Sequence, residues 1–207
     1  MSGPPVIDPG EVRPTACWPT IAPAGYGGLA GDLVATLEPH TEADPAGLLV
    51  DFLVAFGNAV GSGPHALADG SEHPARLNAV LVGETSRARK GTARANVRAV
   101  LELAEPEWSE RRVMGGLASG EGLIATVADP DEDGNGGTND KRLLVVESEL
   151  ARVLTAAGRE GSTVSPIVRD AWDTGRLRVI TARSRSSPPG RTSASSATSR
   201  GRSSADA

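Results

Sequence analysis

Lys90, Gly91 and Thr92 are the residues whose types and spacing most directly suggest chemistry. Phosphate is held by backbone N–H groups at a helix start, by a lysine reaching its outer oxygens, and by a hydroxyl that binds the accompanying Mg²⁺. Upstream, Leu77–Val82 is a short apolar run of the kind that makes a buried parallel strand, and it stops at Gly83. A small, polar, basic turn follows, Glu84 to Arg89. Downstream, Val97, Val100, Leu101 and Ala104 recur at helical spacing. Strand, loop and helix in that order is the layout of a phosphate-binding loop. The candidate phosphate contacts are Gly83, Glu84, Thr85, Arg89, Lys90, Gly91 and Thr92, with Thr92 also a candidate metal ligand. The match to G-x-x-x-x-G-K-[ST] is inexact. Lys90 lies seven positions after Gly83 rather than six, Arg89 stands where the second glycine belongs, and Gly91 separates Lys90 from Thr92. A basic surface loop between a strand and a helix is the competing reading.

Carboxylates supply the other half of such a site. Lys141–Glu149 places four consecutive apolar residues, Leu143 to Val146, before Glu147 and Glu149. An acid at the carboxyl end of a buried strand is the Walker B layout, where it holds Mg²⁺ or polarises the attacking water. Ligands of open α/β sheets bind beyond the carboxyl ends of strands. Glu147 and Glu149 are therefore expected on the same edge as Gly83–Thr92, with Glu147 a candidate metal ligand. A plain buried strand with an acidic exit is the alternative. Ser119 is an expected N-cap for a helix through Ile124 and Val127, with Glu121 in its first turn. Glu121 either complements the helix dipole or delivers a catalytic carboxylate near a terminal phosphate. Asp131, Asp133, Asn135 and Gly136 match the first half of a calcium-binding loop, but Arg142 stands where the bidentate glutamate is needed. A solvated acidic turn is the expectation there.

The elements that must position these groups are bounded by composition. The 207 residues suffice for one domain with a core, and 39% hydrophobic with 3% aromatic residues makes that core mostly Leu, Val and Ala. The net charge of −5 is uneven: residues 183–207 hold five Arg and one Asp, a balance of +4 that leaves −9 for residues 1–182. Bulk charge thus announces no duplex-binding surface. The lone Cys17 excludes a disulfide framework or a cysteine-based zinc site, and His40, His65 and His73 read as ordinary surface histidines. No segment approaches a membrane span, and the N-terminus has no apolar signal core, so no membrane partner and a cytoplasmic location are expected.

In chain order, residues 1–25 hold six Pro and read as a flexible arm, with Trp18 and Tyr26 as possible pins. An amphipathic helix spans Gly28 to Glu38. Asp44 caps a second helix with Pro45 at its first position; it runs through Leu48, Leu49, Phe52, Leu53, Phe56 and Val60 and should be well buried. Residues 62–76 form a loop or short hairpin, and Trp108 packs locally. Leu150, Val153, Leu154 and Ala157 continue as a helix, followed by another with Val164, Ile167, Val168, Ala171 and Trp172 inward. Leu177–Thr181 is expected to be a strand. Residues 183–207, with nine Ser and five Arg, read as a disordered tail. A sharper reading is a frameshift product of GC-rich coding.

Taken together, the chain from about Tyr26 to Thr181 resembles a domain-of-unknown-function family of P-loop ATPases of plasmids, phages and integrative elements, related to primase–helicase replication proteins. The carriers are Phe56-Gly57-Asn58, Asn78–Gly83 with Arg89–Thr92, Ser119–Leu123, Leu144–Glu149 and Ala171–Gly175. The resemblance implies an incomplete three-layer α/β, RecA-like P-loop core over residues 26–182, with disordered ends. It implies ATP and Mg²⁺ as cofactors, helicase-like ATPase activity in DNA replication, DNA as a partner, and a homo-oligomeric ring in full-length relatives. Lys90 and Thr92 fall at its phosphate loop, Glu147 and Glu149 at Walker B, and Glu121 at a helix start. Relatives continue with core strands where this chain has its Ser/Arg tail, so truncation, an unpaired sheet edge and poor solubility are expected. The rival reading is a non-catalytic remnant or interaction module. A third is weak nucleic-acid binding through Arg87, Arg89, Lys90, Arg94 and the tail.

Overall fold

A computed structural model describes residues 20–82, 89–131, 133–175 and 177. Most of the expected arm, Gly83, Glu84, Thr85, Arg87, all of the Leu177–Thr181 strand beyond Leu177, and the Ser/Arg tail lie outside the described residues.

The core is helical and N-terminal. After a short 3₁₀ turn, Pro23–Tyr26, comes α1, Gly28–Leu37. Helix α2, Pro45–Ala59, begins as its sequence requires: the Asp44 carboxylate accepts the Ala46 N–H at 2.8 Å and Pro45 occupies the first turn. Its buried face is Leu48, Leu49, Phe52, Ala55, Gly57 and Ala59. Leu53 and Phe56, both expected inside, are each 38% exposed, because neighbours cover only one side of α2. Helix α3, Lys90–Ala104, sets Ala93, Val97 and Leu101 at four-residue spacing against α2. Helix α4, Pro106–Arg111, delivers Trp108, which is 1% exposed. The Trp108 indole donates to Asn58 Oδ1 at 3.0 Å, and Asn58 Nδ2 donates to the Leu143 carbonyl at 2.9 Å. One amide thus ties α2 to α4 and to the approach of the second sheet. Asp51 of α2 faces Arg94 of α3 at 3.9 Å; burial raises the carboxyl pKa and lowers that of the guanidinium, each partly opposed by its partner.

Between α2 and α3 lies a hairpin, β1 His65–Ala68 and β2 Ser71–Pro74, with Ala68 opposite Ser71. Asp69 and Gly70 turn it with φ of 48° and 76°, both left-handed, the pattern that an Asp-Gly pair favours in two-residue hairpins. The chain then meets α2 closely: a Cβ on Gly57 would overlap the Ala75 carbonyl. Beyond it the expected buried strand does not form. Residues 77–82 pair with no strand among the described residues, and Leu77, Val80 and Val82 are 51%, 62% and 77% exposed. A short apolar run becomes a strand only where an adjacent edge receives it, and the run itself does not encode that edge.

The second sheet is a parallel pair. Strand β3, Val113–Met114, registers Val113 with Leu144 and Met114 with Val145 of β4, Leu144–Val145. They are joined through α5, Gly120–Thr126, which Ser119 caps by accepting the Gly122 N–H at 3.0 Å. Buried Arg112 donates from Nε to the Arg142 carbonyl at 2.6 Å, while the Lys141 ammonium donates to the carbonyls of Val127, Ala128 and Thr138. These cations hold the connection in place of a longer ladder. The strand expected over Lys141–Glu149 accordingly shrinks to two residues, and the sheets among the described residues are each two strands wide. The architecture is mixed α and β.

Helix α6, Leu150–Ala157, and α7, Val164–Asp173, complete the described chain. Gly120 lets α5 approach α7: a Cβ there would stand 2.6 Å from Thr163 Oγ1 and 2.8 Å from Ile167 Cγ1. Val164 and Ile167 are buried, but Val168 and Trp172, expected inward, are 38% and 60% exposed. Among the described residues the main cover comes from α5 and α6, which is narrower than the apolar stripe of α7. Among the described residues, no helix is long and apolar enough to cross a membrane.

Candidate functional site

The start of α3 carries the residues expected at phosphate. Arg89 precedes the helix in the left-handed conformation, φ 42° and ψ 29°, at the position where the motif asks for glycine. Its guanidinium pairs with Glu42 at 2.5 Å. Lys90 is the first helical residue and is exposed; the space over the Gly91 Cα is open. Thr92 is half-buried, its N–H donates to the Arg89 carbonyl at 2.9 Å, and its own carbonyl accepts from Asn96 Nδ2 at 2.9 Å. Asn96 Nδ2 also reaches Thr41 Oγ1 at 3.1 Å, so the first turn is anchored to the loop before α2. An accessible lysine and an open glycine at the positive end of a 15-residue helix fit a phosphate group.

The three carboxylates occupy separate surroundings. Glu147 lies two residues past β4, and its Oε1 accepts the Leu117 N–H from the turn that follows β3. Because the strands are parallel, the Gly115–Ser119 turn and Glu147 emerge at the same sheet edge. They border a cleft of about 300 Å³ also lined by Arg152 and Thr155 of α6 and by Arg159, just past the helix end. Glu149 is the exposed residue that precedes α6 and makes no side-chain cap. Glu121 sits in the first turn of α5, where its Oε2 accepts from Thr163 Oγ1 at 2.8 Å. Its own backbone N–H, then the Thr163 hydroxyl, hold its carboxyl below the usual carboxylate range. Glu121 thus joins α5 to the start of α7. The lining of the Glu147 cleft includes none of Lys90, Thr92, Glu121 or Glu149.

Asp131 of the acidic turn accepts the N–H groups of Asp133 and Asn135 with one oxygen, an arrangement that closes the turn. Among the described residues, no group of three or more His, Cys, Asp or Glu side chains is gathered to hold a metal.

Sequence reasoning passed over Arg152 and Arg159. The available signal was two arginines seven residues apart, starting five positions after the acidic strand end. Comparison with known protein families, with characterised proteins and with solved structures finds no match to this chain.

Proposed function

We propose that this chain binds Mg²⁺-ATP as a P-loop-related domain of the kind found in the ATPases of mobile-element replication, with a core of RecA-like ancestry. The β- and γ-phosphates lie against the first turn of α3 and the Lys90 ammonium. Thr92 offers its hydroxyl to the metal, and Glu147 acts on the metal or its water from the strand edge. The observation that carries the reading is the parallel β3–α5–β4 unit, which brings an acid to a cleft beyond the carboxyl ends of its strands. The exposed Lys90 at a helix start adds to it.

Titration of the full chain with a fluorescent ATP analogue and Mg²⁺ tests the reading. Saturable binding that weakens about tenfold or more in Lys90→Ala is expected, since a charge-assisted phosphate contact is lost. An analogue that fails to bind the parent chain would contradict it.

A second reading has its own observation. Residues 77–82 pair with no strand among the described residues and carry three exposed large apolar side chains, a surface suited to strand addition by a partner chain. An interaction module without nucleotide binding would self-associate or aggregate less when Val80 and Val82 are changed to Thr, as read by light scattering.

A further inference from the structure

The Glu147 cleft carries a pair of arginines that the phosphate-loop reading does not use. Arg152 lies on α6 and Arg159 follows its C-cap, Gly158, and both line the cleft. Thr155 lies between them on the same wall. Across from them runs the backbone of Gly116 and Leu117. Among the described residues, neither guanidinium makes an ion pair, whereas Arg89, Arg94 and Arg142 all do. The one carboxylate in the lining, Glu147, already accepts a backbone N–H from Leu117. The cleft therefore holds two cationic forks against one engaged acid, on the sheet edge where α/β folds take their ligands.

The geometry points to a phosphate-binding cleft in which Arg152 and Arg159 grip a phosphate group of a polyphosphate ligand. Guanidinium matches phosphate with two parallel hydrogen bonds, so two such forks suit a group of at least two negative charges better than a lone carboxylate. Glu147, in the same cleft, is positioned for a cation bound to that phosphate. The cleft is a contact separate from the start of α3, where the nucleotide reading places the β- and γ-phosphates, and the inference does not rest on that reading.

Calorimetric titration of the full chain with inorganic tripolyphosphate, in low salt, tests it. The double variant Arg152→Gln/Arg159→Gln is expected to bind at least about tenfold more weakly, because two charge-assisted contacts are lost. Both side chains are exposed, so the variant should keep the parent's circular dichroism and melting temperature. Unchanged affinity in the double variant overturns the inference, because the Arg-rich residues 183–207 then account for the polyanion attraction, and so does a parent chain that does not bind. Lys90→Ala separates the two proposals. Loss of the ATP analogue's binding in that variant, with tripolyphosphate affinity retained, supports the cleft as a distinct contact. If the parent binds tripolyphosphate but no ATP analogue, the nucleotide reading fails and the cleft stands.

Discussion

The N-terminal helices and the α5–α7 region are built on opposite terms. In the first, Leu48, Phe52, Val97, Leu101 and Trp108 form one continuous core, and polar groups such as Asn58 are spent on joining elements. In the second, the buried apolar side chains of helices α5, α6 and α7 are Ala156, Val164 and Ile167 among the described residues, while Leu150, Leu154, Val168 and Trp172 stay at the surface. Its loops are held by Arg112, Lys141 and Arg142 reaching backbone carbonyls. The difference shows where stability resides: the packed half supplies a platform, and the sparsely packed half carries the cleft.

That contrast can be broken by substitution. Trp108→Ala should be the most damaging change, costing about 3–5 kcal/mol in denaturant unfolding, because it empties a fully enclosed site and strands the Asn58 amide. Asn58→Ala should cost about 1–3 kcal/mol, since the Trp108 N–H and the Leu143 carbonyl lose their partner together. Loss of the α2 cap in Asp44→Ala should cost about 1 kcal/mol. Trp172→Ala, by contrast, should change unfolding by no more than about 0.5 kcal/mol, as an exposed side chain outside any core. If Trp172→Ala destabilises as much as Asn58→Ala, the two halves are not built differently. The smallest effect is a pH dependence. Hydrogen bonds from the Arg142 side chain hold the Asp140 carboxyl below its ordinary 3.8. A depressed folded pKa contributes stability above the unfolded value and loses it as the pH falls through the folded one. Asp140→Asn should therefore melt below the parent at neutral pH, with the gap closing below pH 3.8, and a gap that persists there would assign the effect to something other than ionisation.

Local chemistry was legible in the sequence wherever it is self-contained. The Asp44 cap with Pro45, the Ser119 cap, the spacing of Val97 and Leu101, and the hairpin before residue 75 all appear in the fold. What was not legible depends on distant partners. Leu77–Val82 has the composition of a strand, yet pairing is decided by an edge elsewhere in the chain. Leu53, Phe56, Val168 and Trp172 have the spacing of a core, but burial follows from how many elements cover a helix. Of the site, the spacing expects Glu147 at a strand end, and it lies two residues past β4, lining a cleft. Glu121 was offered as a catalytic carboxylate and is found bonded to Thr163, a contact between residues 42 positions apart that no local pattern announces. Arg152 and Arg159 gain meaning only once α6 is known to face the turn after β3.

The most direct measurement is a two-dimensional NMR map of backbone amides during titration with Mg²⁺-ATP. Nucleotide held between the start of α3 and the Glu147 cleft should shift the amides of Lys90, Gly91 and Thr92 together with those of Gly116, Leu117, Glu147 and Arg152. Shifts confined to the Arg-rich residues 183–207, or none at all, would contradict a nucleotide site in this fold.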